Sequence, residues 1–254
     1  MFISGRVLEI NRLSENYFEG LIRLLEDPGR KPRPFQFVMI WIPRVDLMPM
    51  SVADYDERLL KIIFKVRGEG TKRLSEKPVF VGVNGFYGRG FDLSESSKIL
   101  FVAGGSGVAP LPYLARLSEE RRVEIDVIWG VKRSSELFDL RRVTPYRSVK
   151  RVYLAAEDCL SREIYCGMAT ELFEKIYNSR EWDLVVVSGP RDMLKRVCLY
   201  SREREKIYLN LESHMKCGIG FCGSCVLKPL PIRLCVDGPV LRCDIVAEYL
   251  EREN

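Results

Sequence analysis

The chain has 254 residues, 46% hydrophobic and 30% charged, with 40 basic side chains against 35 acidic ones. That length favours at least two domains at roughly 150 residues each, and the apolar runs at 99–103 and 184–187 are far shorter than the roughly 18 residues of a membrane span. The net charge of +5 is mild, and the basic clusters at 116–122 and 202–206 are interleaved with Glu, so they read as solvated helix faces and not as a nucleic-acid footprint.

Residues 1–94 read as a β-barrel domain. Short β-type runs at 3–10, 17–25, 35–42, 59–67 and 79–83 are separated by turn-formers: Asp27-Pro28-Gly29, Gly68-Glu69-Gly70 and the stretch 85–90. Many short strands without helical periodicity predict a small antiparallel barrel. The first twelve residues alternate and carry charge early, without the pattern of a secretory signal, so a cytoplasmic protein is expected.

Residues 95–210 change grammar. Strand-like runs at 98–103, 123–129, 149–155, 182–188 and 207–211 alternate with helical patterns at 110–121, 168–178 and 192–203, and with polar, helix-like sequence up to 140. Such alternation predicts a parallel sheet covered on both faces, with ligands at the C-terminal ends of its strands. Residues 211–254 are too few for a self-sufficient core and need a metal cluster or docking to supplement it. The expected fold is therefore multi-domain β plus α/β: an antiparallel β-barrel, a parallel-sheet nucleotide-binding domain and a small C-terminal 2Fe–2S domain.

The last unit is assigned by its cysteines. Of eight in the chain, Cys159, Cys166, Cys198 and Cys243 are scattered, whereas Cys217, Cys222, Cys225 and Cys235 crowd together. In a cytosolic chain such crowding means a metal more often than crosslinks. The intervals C-x4-C-x2-C with a distal Cys are those of a plant-type 2Fe–2S loop. Gly218, Gly220 and Gly223 permit the left-handed backbone that lets N–H groups face the sulfurs, and Asp237-Gly238 predicts a hairpin presenting Cys235. Four thiolates also suit structural zinc, but zinc ribbons prefer two paired C-x2-C spacings. The single histidine, His214, excludes a Rieske centre and reads as a packing or hydrogen-bonding residue.

Gly104-Gly105-Ser106-Gly107-Val108-Ala109-Pro110 follows an apolar strand and opens a helix, a context suited to phosphate binding. Pro110 stands where the dinucleotide fingerprint has its third Gly, and a merely tight strand-to-helix turn is the alternative. Gly68-Glu69-Gly70-Thr71 could lay N–H groups and a hydroxyl against a pyrophosphate, although most such turns are only turns. Phe64, Phe86, Tyr87 and Phe91 read individually as barrel core.

The order of barrel, α/β unit and iron–sulfur loop resembles the ferredoxin–NADP reductase superfamily, and within it the electron-transfer subunits of heteromeric dihydroorotate dehydrogenases. The resemblance spans the chain and is most specific in Leu211-Glu-Ser-His-Met215-Lys-Cys217-Gly-Ile-Gly-Phe-Cys222-Gly-Ser-Cys225, with Cys235-Val-Asp-Gly238-Pro239-Val240 behind it. It implies FAD on the barrel, with Pro49, Met50 and Ser51 against the flavin, Ile63, Phe64 and Lys65 along its edge, and Gly70 and Thr71 at the pyrophosphate. It implies a nicotinamide nucleotide, NAD or another acceptor such as a quinone taking its place, at Gly104, Gly105, Ser106, Gly107 and Pro110, and at Ser188, Gly189 and Pro190. The implied partner is an FMN-containing dihydroorotate dehydrogenase catalytic subunit in a heterotetramer. Electrons would pass from that FMN through the 2Fe–2S cluster to FAD, in pyrimidine biosynthesis, with substrate oxidation left to the partner.

Three positions depart from the family pattern. Met48 replaces an Arg that would neutralise the FAD pyrophosphate, leaving Arg44 or Lys65 as candidates for that charge; Ser188 replaces a Cys; and Ala155-Ala156-Glu157-Asp158 replaces a segment with Thr and Asp-Gly. Flavin and iron–sulfur subunits of cytosolic hydrogenases or sulfite reductases share Met215-Lys216-Cys217-Gly218 and are the close rivals. A zinc-stabilised nucleotide-binding module without a redox role is the rival from another class.

Overall fold

The computed structural model describes residues 2–93, 98–158 and 161–252. The expected boundary at 94/95 and the scattered Cys159 lie outside the described residues. Strands β1 (Ile3–Arg12), β2 (Tyr17–Leu24), β3 (Phe37–Ile42), β4 (Asp46–Ser51), β5 (Asp54–Asp56), β6 (Leu59–Lys65) and β7 (Phe80–Tyr87) form one antiparallel sheet in the order β4-β3-β7-β1-β2-β6-β5. It curls into a half-barrel around wholly buried Ile22, Ile40, Leu60 and Ile62.

β4, β5 and a short helix α1 (Glu69–Ser75) are additions to the elements the sequence predicts. Pro49 lies on β4, an edge strand, where its missing N–H costs the sheet little. The stretch 68–71, expected as a turn, opens α1 instead. The Thr71 hydroxyl accepts the N–H groups of Arg67 (2.9 Å) and Gly68 (3.1 Å). Gly70 lies so close to β4 that a Cβ there would sit 2.5 Å from Met48 Sδ.

The second sheet comprises β8 (Lys98–Gly104), β9 (Glu124–Val131), β10 (Val149–Ala156), β11 (Tyr165–Cys166), β12 (Leu184–Ser188), β13 (Ile207–Asn210) and β14 (Val240–Arg242), ordered β11-β10-β9-β8-β12-β13-β14. Its strands are parallel except β14, which runs antiparallel to β13. Helices α2 (Leu111–Glu120), α3 (Ala169–Tyr177) and α4 (Arg191–Tyr200) cover it. The helix expected before residue 140 is absent. Ser134–Glu136 and Leu140–Arg142 form single 3-10 turns, which let Phe138, Leu140 and Val143 reach the same core as Trp129.

The C-terminal stretch does not stand apart from this sheet. The hairpin expected at Asp237-Gly238 is a one-turn helix α5 (Leu234–Asp237) carrying Cys235, and β14 and α6 (Cys243–Glu251) return the chain to the sheet. α6 packs on α4, where the wholly buried Cys198 and Cys243 form a disulfide with a Cα–Cα distance of 5.6 Å. Cys166 is also disulfide-bonded. These scattered cysteines thus include crosslinks that their spacing in sequence does not announce. Among the described residues no helix is long and apolar enough to cross a membrane.

The two sheets are locked together by polar contacts. Tyr113 donates to the Pro32 carbonyl at 2.7 Å, Arg116 pairs with Asp54 at 2.9 Å, and Lys65 pairs with Glu136 at 2.8 Å.

Candidate functional site

The cysteine loop is shaped by glycines. Gly218, Gly220 and Gly223 have φ values of 73°, 77° and 73°, the left-handed region that glycine enters without a Cβ penalty. The Cys225 and Cys235 sulfurs lie 3.3 Å apart, with Gly220 N–H donating to Cys235 at 3.1 Å. Cys222 N–H reaches Cys217 Sγ at 3.5 Å. The thiols thus fall into two pairs. Four thiolates in two pairs are the donor set that a 2Fe–2S core would take. Hydrogen bonds to Ser224 and Cys217 pull the Cys222 thiol down to about 6, whereas burial pushes Cys235 up to about 12. A thiol as buried as Cys235 needs a cation beside it to ionise at neutral pH.

The half-barrel braces this loop. Gly88 N–H donates to the Cys235 carbonyl at 3.1 Å and Arg89 N–H to the Gly238 carbonyl at 2.8 Å. The Tyr87 ring lies against Gly218, where a Cβ would approach within 2.7 Å.

Beside the loop is a cavity of about 310 Å³, which falls in the ordinary range for a cofactor pocket. One wall holds Pro49, Met50 and Ser51 of β4, Ile63, Phe64 and Lys65 of β6, and Thr71 of α1. These are the residues the resemblance assigns to FAD, joined by Met48. Gly70 does not line the cavity; its contact is with β4. The opposite wall holds Ser106, Gly107 and Ser188 from the glycine-rich turns. Sequence alone does not assign to this cavity Phe35 and Phe37, Arg67, or the run Asn210–Ser213 with Met215 and Pro239, all of which line it. In sequence that last run reads only as the approach to Cys217. Glu212 is the one acid in this lining among the described residues; burial raises its pKa, opposed by the Arg67 cation.

A second cavity of about 490 Å³ opens at the C-terminal ends of β8, β9, β10 and β12, where open α/β sheets bind ligands. Gly104, Gly105 and Pro190 line it, and Lys65 and Arg67 line both cavities, so the two adjoin. The glycine-rich turns are pressed together. A Cβ on Gly107 would collide with the Ser188 carbonyl, and one on Gly189 would sit 3.0 Å from Gly104 Cα. Trp129 Nε1 donates to the Gly105 carbonyl at 3.0 Å, and Asn210 Nδ2 to Ser188 Oγ at 2.9 Å, fixing both turns. Pro110 lines neither cavity and starts α2. Thr170, which no sequence motif singles out, lines the second cavity with a buried hydroxyl that has no hydrogen-bond partner among the described residues, a polar atom suited to meeting a ligand.

A half-barrel against a parallel sheet, with adjoining cavities and a four-cysteine loop, defines an electron-transfer flavoprotein of the ferredoxin–NADP reductase type. The chain superposes on a solved NADH-dependent reduced ferredoxin–NADP oxidoreductase with a TM-score of 0.81 at 25% identity, covering 98% of this chain and 94% of that one. A ferredoxin reductase of carbazole 1,9a-dioxygenase shares the fold at a TM-score of 0.71 and 16% identity, over 82% of this chain and 68% of that one. Residues 212–247 match the sequence model of the iron–sulfur cluster binding domain of dihydroorotate dehydrogenase B. The dihydroorotate dehydrogenase B (NAD(+)) electron transfer subunit of Caldanaerobacter subterraneus is 32% identical over 94% of this chain and 95% of its own length. A probable counterpart in Methanothermobacter thermautotrophicus is 35% identical over 92% and 87%. The chain belongs to the family of dihydroorotate dehydrogenase B electron-transfer subunits.

Proposed function

We propose that this chain takes electrons from the FMN of a dihydroorotate dehydrogenase catalytic subunit through a 2Fe–2S cluster to FAD, and delivers them to NAD in pyrimidine biosynthesis. The observation that carries this reading is one continuous segment. Asn210–Ser213 and Met215 line the cavity, and Cys217, two residues after Met215, begins the cluster loop. Cys217, Cys222, Cys225 and Cys235 would hold the cluster. Pro49, Met50, Ser51, Ile63, Phe64 and Lys65 would hold the flavin, and Gly104, Gly105, Pro190 and Thr170 the nucleotide. The cluster supplies one-electron transfer, and the flavin exchanges one or two electrons. The chain's own residues bind, orient and exclude water; oxidation of the substrate falls to the partner.

We divide the chain into a flavin unit of residues 1–94, a nucleotide unit of 95–210 and a cluster unit of 211–254 that shares the second sheet. We place it in the cytoplasm, a reading supported by its heavily charged composition and its nucleotide-type cavity. Buried disulfides inside cells have precedent in hyperthermophiles.

The 0.81 TM-score to the ferredoxin–NADP oxidoreductase favours one second reading, a flavin and iron–sulfur subunit of an assembly of that kind. Anaerobic purification with the native partner, followed by flavin, iron and sulfide analysis, separates the two. Dihydroorotate should then reduce the complex, and NAD should reoxidise it. A partner that leaves dihydroorotate untouched would end the first reading.

A further inference from the structure

A dinucleotide flavin brings a diphosphate with two negative charges into its pocket, and a largely apolar cavity needs a cation to receive them. On the β4 wall there is none: Met48, Pro49 and Met50 are apolar, and Met48 is buried against Gly70. Arg44, a candidate from sequence, sits in the exposed turn between β3 and β4 and does not line the cavity. Lys65, the other candidate, does line it, but its ammonium is held 2.8 Å from the buried carboxylate of Glu136. Among the described residues the only other cation lining the cavity is Arg67.

Arg67 is placed for the task. It follows β6 closely, and Thr71 Oγ1 accepts its backbone N–H at 2.9 Å. Its guanidinium donates to Ser106 Oγ at 3.1 Å, and although its charge acts on Glu212 in the same lining, no ion pair holds it among the described residues. Thr71 and Ser106 both line the flavin cavity, so each of these contacts ties Arg67 to that cavity, although its side chain also borders the nucleotide cavity. A guanidinium offers five donors in a planar fork, leaving several beyond the one used by Ser106.

We propose that Arg67 is the side chain that neutralises the FAD diphosphate in this protein, the charge reaching the site from the end of β6 instead of from β4. The proposal rests on the FAD reading above, and its test separates the two.

The full-length chain, stripped of flavin, is titrated with FAD and with riboflavin, which has no phosphate. Wild type, Arg67→Gln and Arg67→Lys are compared, and each FAD-saturated protein is then titrated with NADH. Losing charge-assisted hydrogen bonds should weaken FAD binding of Arg67→Gln about 10- to 100-fold. Riboflavin binding should stay within about twofold, Arg67→Lys should recover most of the FAD affinity, and added salt should weaken FAD binding in wild type but not in Arg67→Gln. Unchanged FAD affinity in Arg67→Gln would overturn the proposal while leaving the FAD reading intact. So would an equal loss for riboflavin, which signals a general disturbance, or a loss confined to NADH, which assigns Arg67 to the nucleotide diphosphate. Wild-type protein with no affinity for FAD would overturn the flavin reading and the proposal together.

Discussion

The walls of the two cavities and the cysteine loop are built on opposite principles. Most of the walls are strands, and turns pinned to strands, over wholly buried residues such as Ile62, Val102 and Val187, to which the flavin cavity adds Leu211–Ser213, Met215 and Pro239 from the stretch around the loop. The stretch 212–233 contains no strand or helix beyond one isolated bridge between Val226 and Arg233, and it leaves Ile219 63% and Phe221 89% exposed. Apolar burial fixes the first region before any cofactor arrives. The second buries Cys225, Leu227, Leu234 and Cys235 in a shared core and owes the rest of its shape to left-handed glycines and to whatever its thiols bind, since metal-binding energy supplements a core in such loops. The cluster should therefore be removable without collapse of the flavin site, and the reverse should not hold.

The strongest way to break this contrast is Cys222→Ser. We expect iron and sulfide to fall close to zero, while FAD binding stays within about threefold and far-ultraviolet circular dichroism is unchanged, because no cavity wall uses that residue. Joint loss of flavin and fold would show the two regions to be one cooperative unit.

Next come two glycines of different kinds. Gly107→Ala drives a methyl group into the Ser188 carbonyl and should cost about 1–3 kcal/mol in denaturant unfolding, with weaker nucleotide binding. A methyl group on Gly223 would meet nothing within 4 Å, but the φ there is 73°, so Gly223→Ala should cost only about 1 kcal/mol, visible as cluster lability and not as global unfolding.

Phe221 sharpens the contrast from outside. An aromatic side chain so exposed beside the cluster cysteines is suited to a partner's pocket. Phe221→Ser should leave stability within about 0.5 kcal/mol yet weaken association with the catalytic subunit about tenfold, as measured by calorimetry.

The smallest expected effect is at Glu212, open to the cavity but ringed by its walls. Burial raises its pKa, so the folded, flavin-free chain holds this proton more tightly than the unfolded chain does. Stability contributed at this site is therefore greatest below the unfolded carboxylate pKa and declines as pH rises through the folded one. Glu212→Gln should raise the apparent Tm by about 1–2 °C at pH 8, after allowance for solvent screening, and by nothing at pH 4.

What can be read in sequence is local. The cysteine spacing, the strand–turn–helix at 98–120 and the succession of sheets all lie in short windows whose periodicity or spacing carries the signal. β4 is hidden because Pro49 interrupts a strand pattern, and α1 because Gly68-Glu69-Gly70 has the composition of a turn. Phe37 and Asn210 join the flavin cavity from strands distant in sequence, Phe35 from the turn before β3, and Cys198 meets Cys243 across 45 residues; no local pattern encodes these meetings. Arg67 does not stand out in sequence for the same reason: its role depends on Glu136, 69 positions away, having already taken Lys65.

Electron exchange between flavin and cluster within this one chain is the central claim. Anaerobic addition of NADH to the purified, FAD-loaded protein, followed by low-temperature electron paramagnetic resonance, tests it directly. Wild type should show the signal of a reduced 2Fe–2S cluster and Cys222→Ser should lack it, with the flavin bleached in both. A bleached flavin beside a cluster that stays oxidised, or a colourless protein holding zinc and no iron, would contradict it.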